Sequence, residues 1–598
     1  MNKYIAQILV LILLSLSANI YAQYTDYIGA GHSDGITVTS SSNFENTDQL
    51  NTINGTGLNA RTMELTRFLS QATMGVTPSD LQSAKQLGIE GWIDAQMTIE
   101  PSEYLVVMED LWSEILSGYL DIGYIEDDVY GPAAAHFNYA WWTNAVTGED
   151  QLRQRVSFAL SQILVISNNS DLTDRGEALS TYYDILSKHA FGNYRDLLVD
   201  VAMNPSMGFY LTHLNNPKAV PEENIHPDEN FARELMQLFT IGLYELNIDG
   251  TRKVDEQGND IPTYDNTDIK ELAKVFTGLG PGGILDWVPW ADEPYFGLGI
   301  YAADLTVPME MYEEYHEKGQ KNLLNGYIIP ANNDPLKDIE DAVDHLFNHP
   351  NVGPFVCRQL IQRFVTSNPT PEYIARVATV FNSNENGDRG NLGSVIKAIF
   401  LDEEARSCES INDGYHGKMR EPLLRSTQFV RLTPLDNPSG KFWNPTFNLQ
   451  DDVEQMQLGA PTVFNFYLPD HQPVGELTTL GLNAPEFNLL NTRTAIGYLN
   501  QANQWAVWNA PWWGWDDEIG ILAPMVDYES FPAEFEDVET AITWLDTYYT
   551  NGLMTDFTRN NIRQQISPLD WNDPELWMYR LSLATYLTLI SPDFVIQK

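Results

Sequence analysis

The segment His226-Pro227-Asp228-Glu229-Asn230-Phe231-Ala232-Arg233-Glu234-Leu235-Met236-Gln237-Leu238-Phe239-Thr240-Ile241-Gly242-Leu243-Tyr244 sets the class of this chain. Phe231, Leu235, Leu238 and Phe239 recur at i, i+4, i+7 and i+8, which draws one apolar stripe along a helix. Asp228, just after Pro227, reads as the N-cap, and Gly242 as the stop. Asn230, Arg233, Glu234 and Gln237 fall on the other side. Asn230 and Glu234 are one turn apart, as are Arg233 and Gln237. One helix therefore carries an amide, a guanidinium and a carboxylate side by side.

Downstream, Asn247–Asp265 holds Asp249-Gly250 and Gly258-Asn259 between short β-capable segments, the pattern of a hairpin insert. Asp268 and Glu271 have capping-box spacing for a helix whose apolar face is Leu272, Val275 and Phe276. Residues 278–335 are rich in Gly, Pro and aromatics and read as a long ordered loop region. Helical patterns return at 336–348, 353–366, 371–382, 391–401 and 419–432, and again at 486–507, 537–550, 555–565 and 572–590. Upstream, Met63, Leu65, Phe68 and Leu69 begin a helix. Thr77-Pro78 supplies a cap and an N1 proline for the next, which Gly88 ends. Residues 136–166, 178–190 and 194–203 are helical as well. No run of alternating strands appears. The predicted class is mainly α: a large multi-helix globular fold with long irregular loops and a small β-hairpin insert.

The chain has 598 residues and 43% hydrophobic content, ordinary for globular protein. Its 34 basic against 82 acidic residues give a net charge of −48. That charge opposes nucleic acid and anionic membrane surfaces, which bind through excess Lys and Arg. Lys3, the apolar run Ile5 to Leu16 and Ala22-Gln23 have the form of a secretory signal peptide cut after Ala22. The run is short for a membrane span, and no cysteine follows it to carry a lipid anchor. The expected product is exported, periplasmic or extracellular. Its expected parts are a signal peptide over 1–22, a flexible linker over 23–60 and one helical domain over 61–598. A division of that domain into two lobes would fall near 280–335. Cys357 and Cys408 either pair or leave Cys357 as a buried thiol in an apolar helix.

Several familiar sites are absent from the sequence: HExxH, CxxC and a P-loop. No cofactor motif and no metal site is assigned. Asn382 to Asp388 resembles half a calcium loop, but Gly393 stands where a bidentate Glu belongs. Arg155, Arg233, Arg358, Arg363 and Arg420 each sit in an otherwise apolar helical segment. They either hold an anionic ligand group or pair with Glu234, Glu421 and helix C-termini as a buried network. Trp505, Trp508, Trp512, Trp513 and Trp515 either stack on sugar rings or pack an irregular segment onto the core.

Taken together, these segments are similar to a bacterial family known as domain of unknown function 1800. The match runs from about Arg61 to the C-terminus. Its pieces include Arg67-Phe68-Leu69-Ser70-Gln71-Ala72-Thr73, Leu152 to Gln162, Tyr182 to Gly192, and Asp228 to Phe239. Further pieces are Phe276-Thr277-Gly278, His349 to Phe355, Arg358 to Arg363, Arg420-Glu421-Pro422 and Ala460 to Tyr467. Where many members carry Trp after Phe-Thr-Gly, this chain has Leu279. The resemblance implies an exported bacterial protein, with a sulfatase-like protein of a neighbouring family as partner. It carries over no catalytic residue. From the residues themselves, the expected function is binding or hydrolysis of an anionic, polysaccharide-like polymer beside the 226–242 helix. Glu234 would be the general acid or base and Asp228 a second carboxylate. Asn230, Arg233, His226, Arg155 and Arg358 would bind the ligand. The alternative is a non-enzymatic accessory or scaffold for the sulfatase-like partner.

Overall fold

The structure, a computed structural model, describes residues 60–407, 413–442, 446–508, 517–531, 537–569 and 574–598. The expected signal peptide, nearly all of the expected linker, Cys408, Trp512, Trp513 and Trp515 lie outside the described residues. Among the described residues there are 23 α-helices, and every sheet has two strands, so the chain is mainly α, as its periodicity predicts.

The first helices are α1 (Ala60–Ala72) and α2 (Pro78–Met97). Thr77 caps α2 by accepting from the Asp80 N–H, while Asp80 accepts from the Thr77 N–H at 3.1 Å. Gly88 stands inside α2 at φ +74°, so the predicted stop is a kink between two helical pieces. Next come α3 (Tyr104–Asp121), α4 (Ala134–Thr147) and α5 (Gln151–Ser161). The helical pattern over 136–166 is thus broken at Gly148, whose N–H closes α4 onto the Asn144 carbonyl at 2.9 Å. α3 packs on α4 and on α6 (Gly176–Lys188), and α6 leads to α7 (Tyr194–Met203).

The central segment forms α8 (Asn230–Glu234), which passes directly into a π-helix over Leu235–Thr240. Its N-terminus differs from expectation by one residue. Glu229 flanks the helix, and Asp228 acts from outside it, with Oδ1 accepting from the Asn230 N–H at 2.8 Å. Gly242 ends the segment at φ +70°, as predicted. The insert that follows is paired only by isolated bridges, Tyr244 with Pro262, Leu246 with Arg252 and Val254 with Asp260. The next helix, α9 (Asn266–Ala273), is capped by Asp265 and Asp268, three residues before the predicted pair. Glu271 is occupied elsewhere, pairing with Lys274 and accepting from the Asn322 N–H at 2.9 Å.

Residues 278–335 contain two small antiparallel pairs. β1 (Leu279–Gly280) lies against β2 (Glu310–Met311), with Leu279 opposite Met311. β3 (Lys321–Leu323) lies against β4 (Tyr327–Ile329). Helices resume as α10 (Pro335–Phe347), α11 (Val352–Phe364), α12 (Pro371–Asn382) and α13 (Leu392–Leu401). α10 shows why the pattern was readable: Asp334 caps it, Pro335 opens it, and Ile339, Ala342, Val343 and Leu346 bury one stripe. β5 (Lys418–Met419) precedes α14 (Pro422–Leu432) and pairs with β6 (Ile596–Gln597), so the last residues fasten to the middle of the chain. Between them lie α15 (Thr446–Val453), α16 (Thr492–Ala506), α17 (Val538–Tyr548), α18 (Asp556–Ile566) and α19 (Pro574–Leu589).

One contiguous set of buried apolar side chains runs from Leu65 to Phe594. Trp505 belongs to it, stacked on Phe429 with ring centres 5.9 Å apart, while Trp508 is exposed. Cys357 is fully buried in α11.

Candidate functional site

Glu234 closes α8 at the point where helical hydrogen bonding changes from α to π. Such π segments insert into helices at a cost in regularity and recur at functional sites. The Glu234 side chain is only 5% exposed, and its Oε2 has no hydrogen-bond partner. Burial raises its pKa above the ordinary glutamate value, with Arg233 pulling the other way. Tyr210 and Tyr264, both half-buried, feel the same carboxylate, and each hydroxyl is pushed up to about 12, chiefly by its own burial. A carboxyl so placed favours its protonated, proton-donating form more than a solvated glutamate does.

The other residues of the segment lie further out. Arg233 pairs with Glu229 at 3.3 Å in a partly exposed contact. Asp228 is exposed and its Oδ1 is engaged twice, by the Asn230 N–H and by the Thr212 hydroxyl at 2.7 Å. His226 is exposed and Asn230 half-buried. His213, one of the histidines beside the helical patterns, stacks on Phe231 with ring centres 3.9 Å apart. Its Nε2 bonds the Ala202 carbonyl at 2.9 Å, its Nδ1 has no partner, and burial lowers its pKa to about 4. The imidazole is therefore neutral near neutrality. Its only sequence signal was a histidine in a short apolar run.

Arg155 and Arg358 do not join this group. Arg358 is half-buried, its charge answering to Asp470 and Arg252. Arg155 is 1% exposed in α5 and belongs to a second cluster. There Glu421, with no exposed surface, accepts from Gln162 Nε2 at 2.5 Å and Gln455 Nε2 at 2.6 Å. Arg155 donates to the Arg363 carbonyl at 2.6 Å, in the last turn of α11. Lys418 pairs with Glu486 at 2.8 Å and donates to the Gln362 and Arg363 carbonyls. The Arg363 guanidinium lies 4.6 Å from the Tyr467 ring centre. Lys418, Arg363 and Arg155 together hold the Glu421 carboxyl below its ordinary pKa against its burial. Of the two expected roles for the arginines, Arg155 and Arg363 take the buried network, with Glu421 and a helix C-terminus but without Glu234. That network joins α5, α11, β5 and α14, and so unites four of the sequence motifs.

Among the described residues no three His, Cys, Asp or Glu side chains gather as a metal site. The 382–388 segment is a polar turn in which Asn384 Oδ1 accepts from the Asn386 and Asp388 N–H groups, each at 2.9 Å. Leu279, at the position after Phe-Thr-Gly, is fully buried in β1.

Fold and site define a large helical protein with a largely buried carboxyl, one oxygen of it without a partner, at an α-to-π junction. The chain belongs to the family described as Protein of unknown function (DUF1800), which matches residues 67–596. No curated protein and no solved structure matches it.

Proposed function

We propose that the protein acts outside the cytoplasm as a hydrolase of a polysaccharide-like polymer, with the Glu234 carboxyl as proton donor. The observation that carries this is the Glu234 carboxyl itself: 5% exposed, one oxygen without a partner, its pKa raised by burial. Structural carboxylates are normally paired when buried, because an unpaired one is costly. A raised pKa is what glycosidic bond cleavage asks of its acid, which must protonate the leaving oxygen. His226, exposed just before this segment, and Asn230 and Arg233, partly exposed on it, supply polar contacts for a chain of sugars.

The polymer is better read as neutral or weakly charged than as strongly anionic. Arg233 already has Glu229 as its counter-ion, and a net charge of −48 opposes the approach of a polyanion. The test is reducing-end release by the purified protein from neutral, uronic and sulfated polysaccharides. The expected result is release from a neutral polymer that Glu234→Gln abolishes while the variant keeps the wild-type circular dichroism. Undiminished release by Glu234→Gln would remove Glu234 from the chemistry. No release from any polymer would favour the accessory role beside a sulfatase-like protein.

A further inference from the structure

A second site, with no residue of the Glu234 segment in its lining, lies between α3, α4 and the segments around 124–130 and 168–173. It is a cavity of about 430 Å³, within the size range of small-ligand sites. Its lining combines tyrosine rings with side-chain amides and contains no Lys or Arg. Tyr119 and Tyr124 meet edge to face with centres 5.2 Å apart. Tyr124 is 46% exposed and Tyr130 69%, so both rings stand open at the lining. The Tyr130 hydroxyl donates to Asp174, which fixes its ring.

The inner wall supplies directed polar groups. Asn138 has no exposed surface and lines the cavity; its Oδ1 accepts from Gln457 Nε2 at 2.6 Å, while its Nδ2 has no partner. A buried amide donor left unpaired at a cavity wall costs free energy that a ligand oxygen would recover. Gln450 donates to Asn169 Oδ1 at 3.2 Å, and the Asn169 amide donates to the Gly459 carbonyl at 2.9 Å, so this pair is oriented in advance. His136 completes the wall, with Nδ1 accepting from the Ala133 N–H at 3.0 Å and its ring against Trp112.

From this juxtaposition of open tyrosine rings with buried, unpaired and pre-oriented amides, we propose that the cavity binds a short neutral saccharide. Flat rings take the apolar face of a pyranose, and amides bond its hydroxyls. An anionic ligand would find no fixed counter-ion in the lining, and Asp128 would repel it. None of the residues around Glu234 takes part, so this site stands or falls independently of turnover there.

The test is isothermal titration of the full-length protein with cello-, malto- and chito-oligosaccharides, and with oligogalacturonate as the anionic comparison. At least one neutral series should bind and oligogalacturonate should not. Tyr124→Ala and Tyr130→Ala, both at exposed positions, should each weaken binding by about tenfold, roughly the loss of one ring contact. Asn138→Asp, which keeps the acceptor for Gln457 and removes the free donor, should abolish it. Unchanged wild-type affinity in both tyrosine variants would overturn the proposal, as would tighter binding of oligogalacturonate or no binding of any neutral series. The titrations are run in the Glu234→Gln background, which removes turnover, and dependence of binding on Tyr124, Tyr130 and Asn138 is what separates this cavity from the Glu234 segment.

Discussion

Glu421 shows how much one residue organises here. It is fully buried, receives amides from Gln162 and Gln455, and faces Arg155, Arg363 and Lys418. Glu421→Ala strands the Gln162 and Gln455 amide donors and removes a charge that Lys418, Arg363 and Arg155 feel, so the variant should lose about 2–6 kcal/mol, about 1–3 for each buried donor left without a partner. Urea unfolding measures it, and a loss below about 1 kcal/mol would mean the cations do not depend on this carboxylate. The sign with pH follows from the depressed folded pKa. The contribution is complete above the ordinary glutamate value of 4.5 and disappears as pH falls through the lower folded value. At this scale the sequence was half legible. Arginines in apolar helices announce a need for partners, and the sequence offers both Glu421 and Glu234. Which of the two Arg155 meets depends on how helices pack, which periodicity does not encode.

The elements were more legible than their joints. Stripe spacing finds α10, α12, α13, α17 and α18 to within two residues at each end, because one buried face and a capping side chain define each; it starts α14 and α16 too early, taking in Met419 of β5 and the 3-10 turn Pro485–Leu489. It failed where hydrogen bonding changes pitch. The 228–242 segment was expected as one α-helix, yet it turns π after Glu234, with the Thr240 hydroxyl bonding the Leu235 carbonyl at 2.5 Å and the Gly242 N–H reaching Met236 at 2.9 Å. Apolar periodicity cannot distinguish the two pitches over so few residues. The end of the segment gives a prediction. Gly242 stands at φ +70°, and a Cβ there would lie 2.8 Å from the Phe355 ring. Gly242→Ala combines a left-handed backbone penalty of about 1–2 kcal/mol with displacement of that ring. Thermal unfolding should show a loss of more than about 1 kcal/mol. A neutral result would mean that the segment ends differently. If the π turn positions Glu234, the same variant should lower turnover beyond what its stability loss explains.

At the scale of the whole molecule, acid stability is a contest between two sets of buried groups. His136, His213 and His416 are all buried, and in each burial is the main cause of a pKa lowered from 6.5 to about 4. Unfolded, these imidazoles protonate near 6.5; folded, they stay neutral until about pH 4. The unfolded chain therefore binds more protons in that window, and stability falls as pH falls, by up to about 1.4 kcal/mol per pH unit for each group. Asp184 works in the opposite direction. Burial raises it to about 6, so the folded state takes up a proton before the unfolded one and gains stability as pH falls through that value. Glu234, Asp546 and Asp593 are raised by burial and share that sign. Asp184→Asn keeps one of the two oxygens that accept from the Tyr104 and Leu105 N–H groups, at 2.6 and 3.0 Å, and turns the other into an NH2; that loss is independent of pH, so the removed titration is read in the slope. Urea midpoints measured from pH 7 to 4.5 should therefore fall more steeply with acid in Asp184→Asn than in wild type. Replacing His213 with glutamine should flatten the profile instead. Parallel profiles for all three proteins would show that neither set governs the acid limit, and would assign it to the surface carboxylates that give the chain its net charge of −48.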